Sequence, residues 1–215
     1  MGSLQHLYDQ NFYYRVSGDG FESNFSNLNW TVPTVLASRF SIQGGVSNQF
    51  DVEMTYTLTG GSNSSVVGEG VSITNTSQSA LNLHIFKYVD LDLNGSICCD
   101  TATRTNANTF QQVDGNVFSE MVLTNAPTAW QVGGFGSYFN LNDALITTLT
   151  NSGSGYSGDA TYAMEWIFNI GAGQTQTFGS TTYLEISQVP VPAAAWLMGS
   201  ALVGLTGIAR HRNST

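Results

Sequence analysis

The residues most able to do chemistry lie in one short run, Asp90-Leu91-Asp92-Leu93-Asn94-Gly95. It fits D-x-D-x-N-G, the first half of an EF-hand-type calcium loop. Ca2+ prefers several hard oxygen ligands, and acidic groups at alternate positions before a glycine turn can wrap it. The twelfth position of such a loop should be Glu; here it is Thr101, with Asp100 one residue early. Two readings stand. In one, Asp90, Asp92, Asn94 and Asp100 hold a structural Ca2+. In the other, Asp90 and Asp92 lie on the solvated face of a strand that an Asn-Gly turn closes. No cofactor is otherwise required.

The remaining candidates are thinner. Cys98 and Cys99 are adjacent, and neighbouring Cα atoms ~3.8 Å apart sit below the usual disulfide range. They read as two small loop residues, open to oxidation. His6 and His84 are the histidines outside the C-terminal tail. Gly153-Ser154-Gly155-Tyr156-Ser157-Gly158 does not fit the nucleophile elbow G-x-S-x-G, so a catalytic triad is not expected. Glu53, Glu120 and Glu165 offer carboxylates for glycoside hydrolysis, without a local signature that sets them apart from outward strand residues. Among the aromatics, Trp166 has core parity. Trp30 and Trp130, beside loops, are the candidates for stacking on sugar rings.

These groups must be positioned by strands. Phe50, Val52, Met54, Tyr56 and Leu58 alternate with Asp51, Glu53, Thr55 and Thr57, which is a half-buried strand. Similar runs span Val66 to Ile73, Leu81 to Leu93, Val117 to Leu123, Ala129 to Val132, Tyr162 to Ile170 and Thr175 to Ile186. Asn142 to Thr150 fits a short helix or a strand. Nearly ten strands separated by Gly/Asn/Ser turns predict an all-β fold, an antiparallel β-sandwich of jelly-roll type over residues 1–188. The long alternating runs place Leu81, Leu83, Ile85, Val89, Leu91 and Leu93 in its core.

Composition narrows the setting. Of 215 residues only 10% are charged, the net charge is -9, and Lys87 is the single lysine. Nucleic-acid binding needs Lys and Arg against phosphate, so it is excluded. Aromatic and apolar content (12% and 41%) excludes disorder. The hydroxyl-rich, Lys-poor surface suits an exported protein.

The tail differs from the body. Residues 193–209 carry no charge and, at ~1.5 Å per residue, reach about 25 Å, a short membrane span. A single hydrophobic helix is expected there, with Arg210, His211 and Arg212 on the cytoplasmic side and residues 1–188 outside. Before it stands Val189-Pro190-Val191-Pro192-Ala193, with Trp196 close behind. Each proline favours extended chain. This motif (189–197), span and basic cluster (210–212) resemble the VPxPA variant of the PEP-CTERM sorting signal, found on exported proteins of Gram-negative bacteria that make exopolysaccharide. The resemblance implies a sorting tail over 189–215, transient anchoring in the inner membrane, processing by an exosortase-type enzyme, and release to the cell surface or medium. Export also implies a signal peptide. MGSLQHLYDQNFYYRV has neither a basic nor an apolar region, so the leader is expected to be missing from this chain. Leu83 to Gly95, and Gly158-Asp159 through Trp166 to Gly173, further resemble a loose group of bacterial secreted β-sandwich proteins. The function expected from all this is a non-catalytic, exported surface or matrix protein associated with exopolysaccharide. The alternatives are an envelope polysaccharide hydrolase using acidic residues and a Ca-stabilised carbohydrate-binding module.

Overall fold

The computed structural model describes Leu7 and residues 9–187. The sorting motif, the expected helix over 193–209 and the basic cluster lie outside them, as does His6. Among the described residues no helix is long and apolar enough to cross a membrane.

Two antiparallel sheets face each other, as the alternation predicted. Strands are numbered in chain order: β1 (Asp9–Val16), β2 (Ser23–Asn24), β3 (Thr34–Leu36), β4 (Arg39–Val46), β5 (Phe50–Gly60), β6 (Ser64–Asn75), β7 (Leu81–Asp90), β8 (Asp100–Asn106), β9 (Thr109–Asp114), β10 (Val117–Leu123), β11 (Ala129–Gly133), β12 (Tyr156–Gly158), β13 (Thr161–Ile170) and β14 (Thr175–Ile186). The five-stranded sheet runs β11-β13-β7-β1-β2. The nine-stranded sheet runs β12-β8-β9-β10-β14-β6-β5-β4-β3.

Between the sheets lies one apolar core. Phe50, Val52, Met54, Val71 and Ile73 enter from the large sheet, and Leu83, Ile85, Val89, Met164 and Trp166 from the small one. Leu58, expected in that row, is exposed. One charged pair crosses the core. Lys87 has inward parity on β7 and is 1% exposed; its Nζ donates to Glu69 Oε1 on β6 at 2.5 Å and to Ser180 Oγ at 3.1 Å. Gln10 Nε2 donates to the other Glu69 oxygen, and the ammonium stands 5.3 Å from the centre of the Phe12 ring.

The small sheet is covered on its outer face as well. Tyr13, Phe86, Tyr88 and Ala163 project outward and pack with Leu141 and Leu149. A short helix, α1 (Gly136–Leu141), and the segment after it supply this third layer. Residues 142–150 are neither helix nor strand. They are held by side chains: the Thr147 amide and hydroxyl both donate to Glu22, and Asn142 Nδ2 donates to the Tyr13 hydroxyl.

The expected strand over Leu81 to Leu93 stops at Asp90, where its partners also end, since Asp90 pairs with Asp9 and Thr161. The chain then makes one tight helical turn over Leu93–Gly95, with Asn94 at φ 58°. Cys98 and Cys99, expected to be two small loop residues open to oxidation, are joined as a vicinal disulfide.

Candidate functional site

Two places collect polar chemistry. The first is a trough on the outer face of the nine-stranded sheet. Phe50, Val52 and Met54 point into the core, so alternation turns Asp51 and Glu53 outward on β5. They face a depression of about 510 Å³, with Gln43 from β4, Ser72 and Thr74 from β6, and Thr31 from the loop before β3. Two residues apart on a strand, Asp51 and Glu53 lie on the same face with a backbone repeat of about 7 Å. A second depression of about 280 Å³ continues the first. It shares Glu53 and Ser72 and adds Arg39 and Thr177. The floor is low because β6 offers Gly70, where an added Cβ would lie 2.8 Å from the Thr55 hydroxyl.

The second place is the end of the five-stranded sheet. One carboxylate oxygen each from Asp90, Asp92 and Asp159 lies within 4.8 Å of the others. Asp90 is 1% exposed; Oδ2 accepts a long bond from the Tyr88 hydroxyl, 3.4 Å, and Oδ1 has no partner. Burial, then the charges of Asp159 and Asp92, push the Asp90 carboxyl up to about 7. Burial raises Asp92 and Asp159 too. A cavity of about 480 Å³ opens beside Asp90, walled by Asp9, Tyr88, Phe135, Tyr138 and Phe139.

Of the four expected calcium ligands, the structure brings Asp90 and Asp92 together and adds Asp159, which the D-x-D spacing did not reveal. Asn94 turns away, its Nδ2 donating to the Asp114 carbonyl. Asp100 is buried against Gln112, which donates to it at 2.5 Å. Burial pushes Asp100 up to about 6, against the lowering effect of the Gln112 bond.

The three glutamates do not form a carboxylate pair. Glu53 is in the trough. Glu120 is on β10, bonded by Gln111. Glu165 belongs to the other sheet, where it accepts from His84 Nδ1 at 2.7 Å, and Arg15 binds Glu22 beside it. His84 is thus part of a largely buried ionic network under residues 142–150. Trp30 packs on the core, donates its ring N–H to the Phe25 carbonyl and lies directly beneath Gly44. Trp130 carries the Arg104 guanidinium 4.8 Å from its ring centre.

The chain matches no family model and no curated protein. Solved structures do resemble it. One is a bacterial glucoamylase complexed with acarbose. The TM-score is 0.57 and the identity 10%, over 88% of this chain and 28% of that one. A chain assigned as kojibiose phosphorylase from the human microbiome (10% identity over 93% of this chain and 25% of that one) and a polysaccharide lyase (9% over 86% and 26%) both score 0.47. At such identity the glucoamylase likeness establishes the fold alone. This chain spans only about a quarter of each of these proteins. The glucoamylase likeness runs against two expectations, a non-catalytic surface protein and a chain that is not an enzyme.

Proposed function

We propose that this sandwich is the glycan-holding, hydrolytic part of a carbohydrate-active enzyme, with polysaccharide lying along the trough. The observation that carries the reading is the pair Asp51 and Glu53, side by side in a depression walled by amides and hydroxyls. Gln43, Thr31, Ser72 and Thr74 suit hydrogen bonding to sugar hydroxyls. Glu53 lines both halves of the depression, so it stands where a chain running through both would be cut. It is assigned the acid role, giving its proton to the glycosidic oxygen as the anomeric C–O bond breaks. Asp51 takes a proton from water, whose oxygen bonds the anomeric carbon. With one carboxyl as acid and the other activating water, the proposed step inverts the anomeric centre.

The tail's resemblance to a VPxPA-type signal supports an envelope polysaccharide as substrate. In this reading the sandwich is of jelly-roll type, is held at the inner membrane by a helix over 193–209, and meets an exosortase-type enzyme.

The test is release of reducing ends from a panel of bacterial polysaccharides. Glu53→Gln and Asp51→Asn should each lower release about 10²–10⁴-fold, the usual range for acid–base groups, with unchanged melting temperature. No release by the unaltered chain, or equal release by both variants, overturns the proposal.

A further inference from the structure

We propose that Asp90, Asp92 and Asp159 form a divalent-cation site of calcium class that clamps two of the crossings between the sheets. The site is independent of the trough. Its geometry is that of a coordination shell. Ca2+ holds oxygens at about 2.3–2.6 Å, so any two of its ligands lie no more than roughly 5 Å apart; the three carboxylate oxygens here converge within 4.8 Å. That is closer than an inverting acid–base pair stands. The donor set, all carboxylate oxygen, suits a hard cation.

A second observation is independent of the clustering. Asp90 is 1% exposed, and its Oδ1 lacks any donor. A buried polar atom left unpaired is costly and calls for a partner. No protein cation serves: the ion pairs among the described residues join Arg15, His84 and Lys87 to Glu22, Glu165 and Glu69, none of them to this cluster.

Topology gives the site its purpose. Asp90 ends β7 in the small sheet, and Asp92 opens the segment that crosses to β8 in the large one. Asp159 stands where the chain returns, between β12 in the large sheet and β13 in the small. Gly158, at φ 143°, makes that turn possible. An ion held by all three residues ties both crossings at one end of the sandwich, beside the aromatic cavity that holds Asp90 in its wall.

The test uses the whole chain, stripped with EDTA and titrated with Ca2+ or Mg2+ by calorimetry and thermal unfolding. Ca2+ at a hundred times its Kd should make unfolding about a hundredfold less favourable. Asp159→Asn should weaken binding at least tenfold while leaving the metal-free chain folded, because it removes like-charge repulsion. Asp100→Asn should leave binding unchanged. The absence of heat and thermal shift with Ca2+, tighter binding of Mg2+, or undiminished binding by Asp159→Asn would overturn the proposal. None of these readouts depends on hydrolysis.

Discussion

Replacing Lys87 by methionine tests how the sandwich tolerates a charge in its core. Lys87 Nζ is enclosed by Glu69, Ser180 and the Phe12 ring, with 2% and 3% of the two ionic side chains exposed. Methionine fills a similar volume, but it leaves the Glu69 carboxylate in the core with only Gln10, Ser180 and the Tyr56 hydroxyl as donors. Breaking a buried pair on one side costs about 3–5 kcal/mol. The surviving donors place this case at the lower end, about 3 kcal/mol. For a domain of this size that is a fall of roughly 6–12 °C in melting temperature. Lys87→Met with Glu69→Leu should recover most of the loss, since a buried pair and a well-packed apolar replacement are often nearly equal in stability. Urea unfolding followed by tryptophan fluorescence reads both, with a lower midpoint at constant slope. A single variant costing under about 1 kcal/mol, or a double variant as unstable as the single, would refute the reasoning.

Two further outcomes follow from buried groups and tight turns. Asp100, pushed up to about 6 in the folded chain against about 3.9 when unfolded, holds its proton more strongly when folded. Its contribution to stability therefore falls as pH rises from about 4 to 6, by about 2–3 kcal/mol in all; Asp100→Asn should flatten that part of a stability–pH curve. Gly153 sits at φ 96°, and a Cβ there would run into the Val132 carbonyl; Gly153→Ala should cost about 1–3 kcal/mol, whereas Gly133→Ala, with open space around it, should cost under about 1 kcal/mol in denaturant titrations.

Strands were legible where one face meets the core and the other meets solvent. β5, β10 and β14 are of that kind, and Val117–Leu123 and Thr175–Ile186 match their expected ends. β1 gave no such signal because its aromatics are consecutive and do not alternate: Phe12 points into the main core and Tyr13 into the layer under α1. Lys87 occupies an apolar row, and nothing local to it points to Glu69 across the sandwich. Asp51 and Glu53 could be assigned to an outward face, but the trough exists only because β4 and β6 bring Gln43, Ser72 and a glycine floor beside them. The D-x-D spacing exposed Asp90 and Asp92. Asp159 was hidden because only the fold, through two sheet crossings, brings it near. The turn after Asp92 sends the expected ligand Asn94 to the Asp114 carbonyl and Asp100 to Gln112.

The place of β14 bears on how the chain reaches its fold during synthesis. Within the nine-stranded sheet, β3 to β6 form one run of sequential hairpins and β8 to β10 another, and β14 alone joins them, paired with β6 on one side and β10 on the other. It is a keystone, and it is the last strand among the described residues. Until residues 175–186 emerge, both runs present open edges and the core has no lid over Phe178's place, so a growing chain stays unlocked until that strand is made. Such a delay slows folding, because the decisive contacts are distant in sequence. It also keeps the polypeptide threadable: a sandwich that cannot close before β14 can be passed through a narrow channel while still extended, and then shut in one late step.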